Sequence, residues 1–545
     1  MKNKSIRTLA TALLLTSAFS FSSCLGDLDQ EPSYEPTVES VYKDPVQVKQ
    51  VLARLYATLA VSGQQGPAGQ PDIQGIDEGF SNYIRQYWMA QELTTDEAII
   101  AWNDADLPEY NRLTWTASNT FVRAMYDRLF YQISLCNEFI RQTTDAKLSE
   151  RGISGTDLAN IKTYRAEARF LRALAYYHAL DMFGNVPFTD ENSSVGVDKP
   201  ARITRSALFD YVETELKAID AELPAPRANE FGRVDKAAAW TLLAKLYLNS
   251  PVYKSTVAGG TNGPERNADV ITYCNRIISS SYALAPSYAN LFRADNGETS
   301  KQEIIFPVRF DGVNTKTFGG MTFIIHAAVG GSMSAADYGI DGGWGGTRTK
   351  KNLVNLFPGG ATSADRRAMF YTSGQNLEIN DIFTFTDGYT ITKYKNLTAA
   401  GTPGSNPTFP DTDFPLFRLA DVYLMYAEAV VRGGAGGNVG TAVNYINALR
   451  DRAYGNTSGR ITNATLTASD AADFILAERG RELYWEGQRR TDLIRFGKYT
   501  SASYVWPFKG GVQGGTGVDA TRTLFPIPTT DISSNPNLVQ NPGYN

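Results

Sequence analysis

The stretch Tyr164–Phe188 constrains the fold more than any other part of the chain. Phe170, Leu171, Leu174, Ala175, His178 and Met182 recur at helical spacing and make one apolar stripe, with Arg165, Glu167, Arg169 and Arg172 mainly off it. Ala166, Ala168, Ala173, Ala175 and Ala179 are small enough for neighbouring helices to approach closely. Gly184 ends the helix and Pro187 keeps it ended. A helix of this kind cannot bury its face alone, so it needs partner helices on both sides.

Those partners are legible along the chain. The pattern predicts helices from Pro45 to about Ser62, from a cap at Ser118 to about Arg141, and over Arg205–Glu222, Asp235–Asn249 and Asp269–Ser280. Further helices are predicted over Phe417–Val431 and Gly440–Asp451, then a long final one over Ser469–Phe496. Pairs of long and shorter helices with alternating small and large residues resemble tetratricopeptide-type units, though without a strict repeat of about 34 residues. An ordinary helical bundle is the alternative.

Between residues 288 and 414 the character changes. Glycine pairs such as Gly319-Gly320, Gly342-Gly343 and Gly345-Gly346 separate short strand-like pieces such as Ile304–Arg309. A loop-rich segment of this length is usually functional when it is not disordered, and its aromatic content argues against disorder.

The amino terminus reads separately. Lys2, Lys4 and Arg7 precede an apolar run, Leu9–Phe21, that closes on Ser22-Ser23-Cys24. This is a secretory signal, too short to span a membrane. Its small-small-Cys ending resembles a lipobox, which makes Cys24 the acylated first residue of a membrane-tethered protein. The organisation expected is therefore a signal peptide (1–23), a tether (24–44) and a helical scaffold (45–287) whose 63–117 loop region contributes to the site. A loop-rich ligand-binding subdomain (288–414), C-terminal scaffold helices (415–500) and an irregular tail (501–545) complete it.

A net charge of −5 argues against nucleic acid as a partner. Only two histidines are present, His178 and His326, so His-rich metal sites and Ser-His-Asp chemistry are disfavoured and both read as structural. Cys136 and Cys274 sit in apolar helical stretches and read as small core residues.

Several motifs, in order along the mature chain, resemble the SusD/RagB family of surface lipoproteins that capture nutrients beside a TonB-dependent transporter. They include Cys24-Leu-Gly-Asp-Leu-Asp-Gln-Glu-Pro32, Arg165-Ala-Glu-Ala-Arg-Phe-Leu-Arg-Ala173, Asp181-Met-Phe-Gly-Asn-Val-Pro187 and Gly232-Arg-Val-Asp-Lys-Ala-Ala238. Pro415-Leu-Phe-Arg-Leu-Ala-Asp421, Glu478–Phe496 and Gln540-Asn-Pro-Gly-Tyr544 follow. The resemblance implies a predominantly α fold: a right-handed helical scaffold of tetratricopeptide-like pairs, with a loop-rich, mixed insertion carrying the ligand site. It implies a lipid-anchored, surface-exposed outer-membrane protein that caps a SusC-like TonB-dependent transporter.

Asp77-Glu-Gly79, Leu93–Glu97 with Ala101-Trp102, Pro307–Gly312, Gly343-Trp344 and Pro410–Asp413 narrow the resemblance to the starch-binding branch of that family. It implies an α-glucan, such as starch or a malto-oligosaccharide, held on an arc of Trp102, Phe318 and Trp344, with Arg85 and Asp77 bonding hydroxyls. Ile100, Ala105 and Phe318 stand where that branch carries Trp, Asn and Tyr. The chemistry suits a pyranose, whose axial C–H face stacks on an aromatic ring while its rim hydroxyls need donors and acceptors.

Read from neighbouring residues alone, Trp102 is a core residue, Phe318 is intermediate, and Trp344 inside its glycines is the binding candidate. Trp88, Trp115, Trp240, Trp485 and Trp506 read as packing. Asp411 and Asp413, with the Asp295–Glu298 turn, could offer oxygens to a structural Ca²⁺, although no cofactor is required. Glu478, Glu482 and Glu486 read as i,i+4 partners of nearby arginines on one helix. A glycoside hydrolase would need two carboxylates about 5–10 Å apart across the sugar, and nothing assigns an acid and a base. A helical-repeat adaptor for a peptide or protein is the third reading, and the expectation is a binding protein rather than an enzyme.

Overall fold

The computed structural model describes residues 37–544 except Ala68, Val195 and Val197. Cys24, the signal peptide and most of the tether lie outside the described residues. Val38–Lys43, assigned to the tether from sequence, is a short helix capped by Thr37.

The principal helices are α1 (Pro45–Ala60), α2 (Thr120–Gln142), α3 (Gly155–Met182), α4 (Arg205–Ala218), α5 (Lys236–Leu248) and α6 (Asn267–Ile278). They resume as α7 (Leu419–Val431), α8 (Val439–Tyr454), α9 (Ala471–Leu483) and α10 (Arg489–Arg495). Side-chain caps set several starts: Asp44 accepts from Val46 N, Thr204 from Ala207 N and Asp235 from Ala238 N. At α2 the cap is Asn119, not Ser118, because the Asn119 carboxamide oxygen reaches the N–H groups of both Phe121 and Val122.

Helix α3 packs against α1, α2 and α4. Three neighbours leave no solvent face, so every residue from Phe170 to Met182 is buried and the simple amphipathic stripe does not hold. Arg172 and Glu167, expected off the stripe, are buried as well, and tertiary partners make that tolerable. Arg172 donates to Asn137 at 2.8 Å and to Glu215 at 2.8 Å, and Glu167 accepts from Arg233 and Tyr56. Gly184, at φ 73°, ends the run.

The final helix is broken rather than continuous from Ser469 to Phe496. Between α9 and α10, Trp485 takes φ 62° and its backbone is held by tertiary bonds in place of helical ones. Trp485 N donates to Glu97 at 3.1 Å, Gly487 N donates to Glu92 at 2.6 Å, and the Trp485 carbonyl accepts from Trp88 Nε1 at 3.1 Å. Glu486 therefore lies outside the helix, and i,i+4 pairing does not describe the three glutamates. Instead Glu482 meets Arg418 at 2.7 Å, Arg452 at 2.6 Å and Arg367 at 3.0 Å. Glu478 meets Arg367 and Arg450 and keeps one pair within its own helix, with Arg481 at 2.7 Å, while Glu486 meets Arg418 and Lys393. The glutamates, Arg367, Arg418 and Lys393 are buried, Arg450 and Arg452 partly so, and together they join elements far apart in sequence.

The strands are short. β1 (Ala98–Ile100) pairs antiparallel with β3 (Thr347–Thr349), and β2 (Ile304–Val308) pairs antiparallel with β4 (Phe414–Arg418). One continuous hydrophobic cluster runs through the helices and the loop-rich segment, with a small satellite at Ile99, Ile379 and Ile382. Trp88, Trp115, Trp485 and Trp506 are core residues, as are Cys136 and Cys274, which are free thiols. No described helix is long and apolar enough to cross a membrane.

Candidate functional site

The β1–β3 pair builds one wall of an open cleft. Ile100 faces Thr347 across the ladder, and Ala101 N donates to the Gly346 carbonyl at 2.8 Å. The strands then part, leaving Trp102 and Trp344 side by side, 6.2 Å between ring centroids and tilted by 42°. Trp102 Nε1 donates to the Trp344 carbonyl at 3.3 Å. Gly346 has to be glycine, because a Cβ there would fall 2.7 Å from the Trp102 ring. Trp344 rests on His326, stacked at 4.9 Å and 28°, and its N–H donates to the His326 carbonyl at 2.8 Å.

Phe318 forms the next ring, 6.5 Å from Trp344 and 38% exposed. Its N–H donates to Glu78 at 2.9 Å, and Thr317 donates to the same carboxylate. Burial raises the Glu78 carboxyl above its usual range, against these hydrogen bonds. Asn82 ties this loop to the scaffold: its side-chain oxygen accepts from Gly320 N at 3.0 Å and caps the short helix Tyr83–Trp88 through Arg85 N at 3.0 Å.

That helix carries Arg85, only 3% exposed. Its guanidinium carbon lies 3.7 Å from the Phe80 ring centroid, 4.3 Å from Phe323 and 5.6 Å from Trp102. Nη1 donates to the Phe318 carbonyl at 3.4 Å, while Nε and Nη2 have no hydrogen-bond partner among the described residues. Burial lowers its pKa, partly offset by Asp77, Asp104 and Glu78. Asp77 stands exposed on the rim, accepting from Phe80 N at 2.9 Å.

Trp102, Trp344, Phe318, Arg85 and Asp77 thus line a single cleft of about 530 Å³, with Glu78, Phe80 and Asp104. Trp102 is only partly buried, so the core reading from its neighbours does not describe it. Ile100 is fully buried in β1 and presents nothing to the cleft, while Ala105 holds a φ of 42°. Sequence reading missed Asn82 and the part His326 plays. Asn82 precedes a helical pattern and could have been found as a cap; nothing around His326 marks it as the support of a ring eighteen residues on.

Asp411 and Asp413 lie away from this cleft and are engaged as acceptors. Asp413 meets the Arg309 guanidinium at 3.0 Å and Phe310 N at 2.9 Å; Asp411 accepts from Gly312 N at 2.7 Å and Ser405 N at 2.6 Å. Asp295 accepts from Ala399 N, and Glu298 pairs with Lys301. Oxygens already facing N–H groups and a guanidinium do not fit a calcium shell. Among the described residues no group of three or more His, Cys, Asp or Glu is placed to hold a metal.

The fold and cleft define a helical scaffold protein presenting an aromatic-walled surface site. Residues 361–544 match the family described as "SusD family", and residues 28–248 match one described as "Starch-binding associating with outer membrane". The chain is 36% identical to the starch-binding protein SusD of Bacteroides thetaiotaomicron over 100% of both chains. It is 26% identical to SusD-like protein P2 of Formosa agariphila, covering 80% of this chain and 83% of that one. The chain belongs to the SusD family.

Solved structures share the fold. A SusD homolog from Bacteroides thetaiotaomicron superposes with a TM-score of 0.71 at 20% identity, covering 93% of this chain and 98% of that one. Surface glycan-binding protein A from the same organism, solved with laminarihexaose, gives 0.67 at 22% identity, covering 91% and 99%.

Proposed function

We propose that this protein captures an α-glucan, such as starch or a malto-oligosaccharide, at the cell surface and passes it to a SusC-like TonB-dependent transporter without cleaving it. The acylated Cys24 would hold it to the outer membrane. The reading rests on one observation above all: three partly exposed rings and an arginine with two nitrogens unpartnered among the described residues share one open cleft. The printed name of the 36% identical relative, a starch-binding protein, supports the ligand class.

The rings are not coplanar, so they suit a curved chain better than a flat ribbon. Sugar C–H faces settle on Trp102, Trp344 and Phe318, while ring hydroxyls reach Arg85 and Asp77. Arg85 is already stripped of bulk water in the free protein. Nε and Nη2 are themselves buried among the Phe80 and Phe323 rings, so a hydroxyl gains a charge-assisted bond there only as those rings give way. Two of the cleft carboxylates are engaged within the protein, Glu78 by Thr317 and Phe318 and Asp77 by Phe80 N, which supports binding over acid–base cleavage.

Native gels cast with amylopectin, dextran, levan or laminarin test this. Retardation is expected in amylopectin and lost in Trp344→Ala, with affinity down by about tenfold or more, since a buried aromatic contact is worth about 1–3 kcal/mol. Retention by no glycan would favour the adaptor reading. Steady release of reducing ends from starch would overturn the non-catalytic one.

A further inference from the structure

We infer that Phe409 is a fourth stacking platform, extending the cleft so that longer α-glucans are held in preference to short ones; this rests on the glycan-binding reading above. Phe409 is partly exposed, and its ring lies 5.5 Å from Phe318, tilted by 53°. That step and tilt resemble those from Trp102 to Trp344 and from Trp344 to Phe318, 6.2 Å at 42° and 6.5 Å at 52°. Phe409 does not line the cleft itself; it adjoins the cleft through its contact with the Phe318 ring.

The loop that carries it has no regular structure, yet it is heavily tied down. Asn406 Oδ1 accepts from the N–H groups of Thr408 and Phe409, at 2.9 and 3.1 Å. Asn396 Nδ2 donates to the Asn406 carbonyl at 2.9 Å, and Asp411 accepts from Ser405 and Gly312. Asp411, singled out from sequence with Asp413 as a metal candidate, here anchors this loop. His326 links it to the established ring, because Nε2 lies 3.0 Å from the Thr408 carbonyl while the imidazole supports Trp344. A ring merely filling space beside Phe318 would not need such fixing. A stacking platform does, since a site held rigid before binding loses less entropy on binding.

Calorimetric titration of the purified full-length mature protein with maltotriose and with maltoheptaose separates the outcomes. Phe409→Ala is expected to leave maltotriose affinity within about twofold and to weaken maltoheptaose by about fivefold or more, with Phe409→Trp restoring it. An unchanged maltoheptaose affinity would overturn the inference. So would an equal loss on both ligands, which is the signature of a prop for Phe318. If the folded wild type bound neither sugar, the α-glucan reading would fail and this inference with it. If the wild type binds both sugars, a negative result in Phe409→Ala counts against the fourth ring alone.

Discussion

Arg418 and Arg85 are both buried arginines, and they differ in what surrounds them. Arg418 donates to Glu303, Glu482 and Glu486 and to the Glu482 carbonyl, with every nitrogen engaged. Arg85 has one carbonyl at 3.4 Å and otherwise lies among aromatic faces. Other buried arginines with an orphaned nitrogen among the described residues leave one each, and Arg85 leaves two. The scaffold spends its ionic groups on holding distant helices and strands in register. The cleft leaves its cation short of partners, at a cost in stability that a hydroxylated ligand can offset.

The comparison breaks most visibly at Glu482. Glu482→Gln would leave Arg418, Arg452 and Arg367 with surplus buried charge, lowering unfolding free energy by about 3–5 kcal/mol. Urea unfolding followed by circular dichroism measures it; a loss under about 1 kcal/mol would mean the lattice is not what joins α9 to the strands.

Acid should act on the same lattice. Burial works to raise the Glu482 carboxyl, but Arg452, Arg418 and Arg367 outweigh it and hold it at about 2. Glu428 is likewise held at about 2 by Arg495 and Arg432, against burial. A carboxyl lower in the folded than in the unfolded chain adds stability above its unfolded pKa and loses it as pH falls toward the folded one. Stability should therefore drop between about pH 4.5 and pH 2, on the order of 2–3 kcal/mol per carboxylate. Asp413 works the other way, since burial lifts it to about 6 and acidification from there to about pH 4 favours the folded state. A urea midpoint that stays flat from pH 5 to pH 2.5 would contradict the lattice account.

The smallest change in stability, and the sharpest contrast, belongs to Arg85. Arg85→Met keeps the apolar stem and removes the under-partnered charge, so stability should hold or rise by up to about 1–2 kcal/mol while glycan affinity falls. Thermal unfolding beside a glycan titration reads both. A marked loss of stability would place Arg85 with the lattice and not with the site.

Much of the scaffold could be read from the chain. Periodicity and caps located most principal helices to within a few residues, because both are local, although α3 begins at Gly155, well before Tyr164. The errors fall where distant groups intervene. Ser469–Phe496 keeps helical periodicity throughout, yet Glu92 and Glu97 capture the backbone of Gly487 and Trp485 and the helix breaks there. The glutamates looked like partners of arginines one turn away; Glu478 does meet Arg481 that way, but all three also meet arginines or a lysine far off in sequence, Arg367, Arg418 and Lys393.

What the amino-acid order settled by itself was therefore the helical content, the breakpoints marked by glycine and proline, and the residue types able to face a sugar. Tertiary structure alone decided that Trp102 and Trp344, 242 positions apart, would stand ring beside ring. It also decided which buried charges would find partners and which would not. Helix signals are carried by neighbours three and four residues apart, whereas a cleft is made by β-pairs and loop anchors whose partners no local pattern can specify.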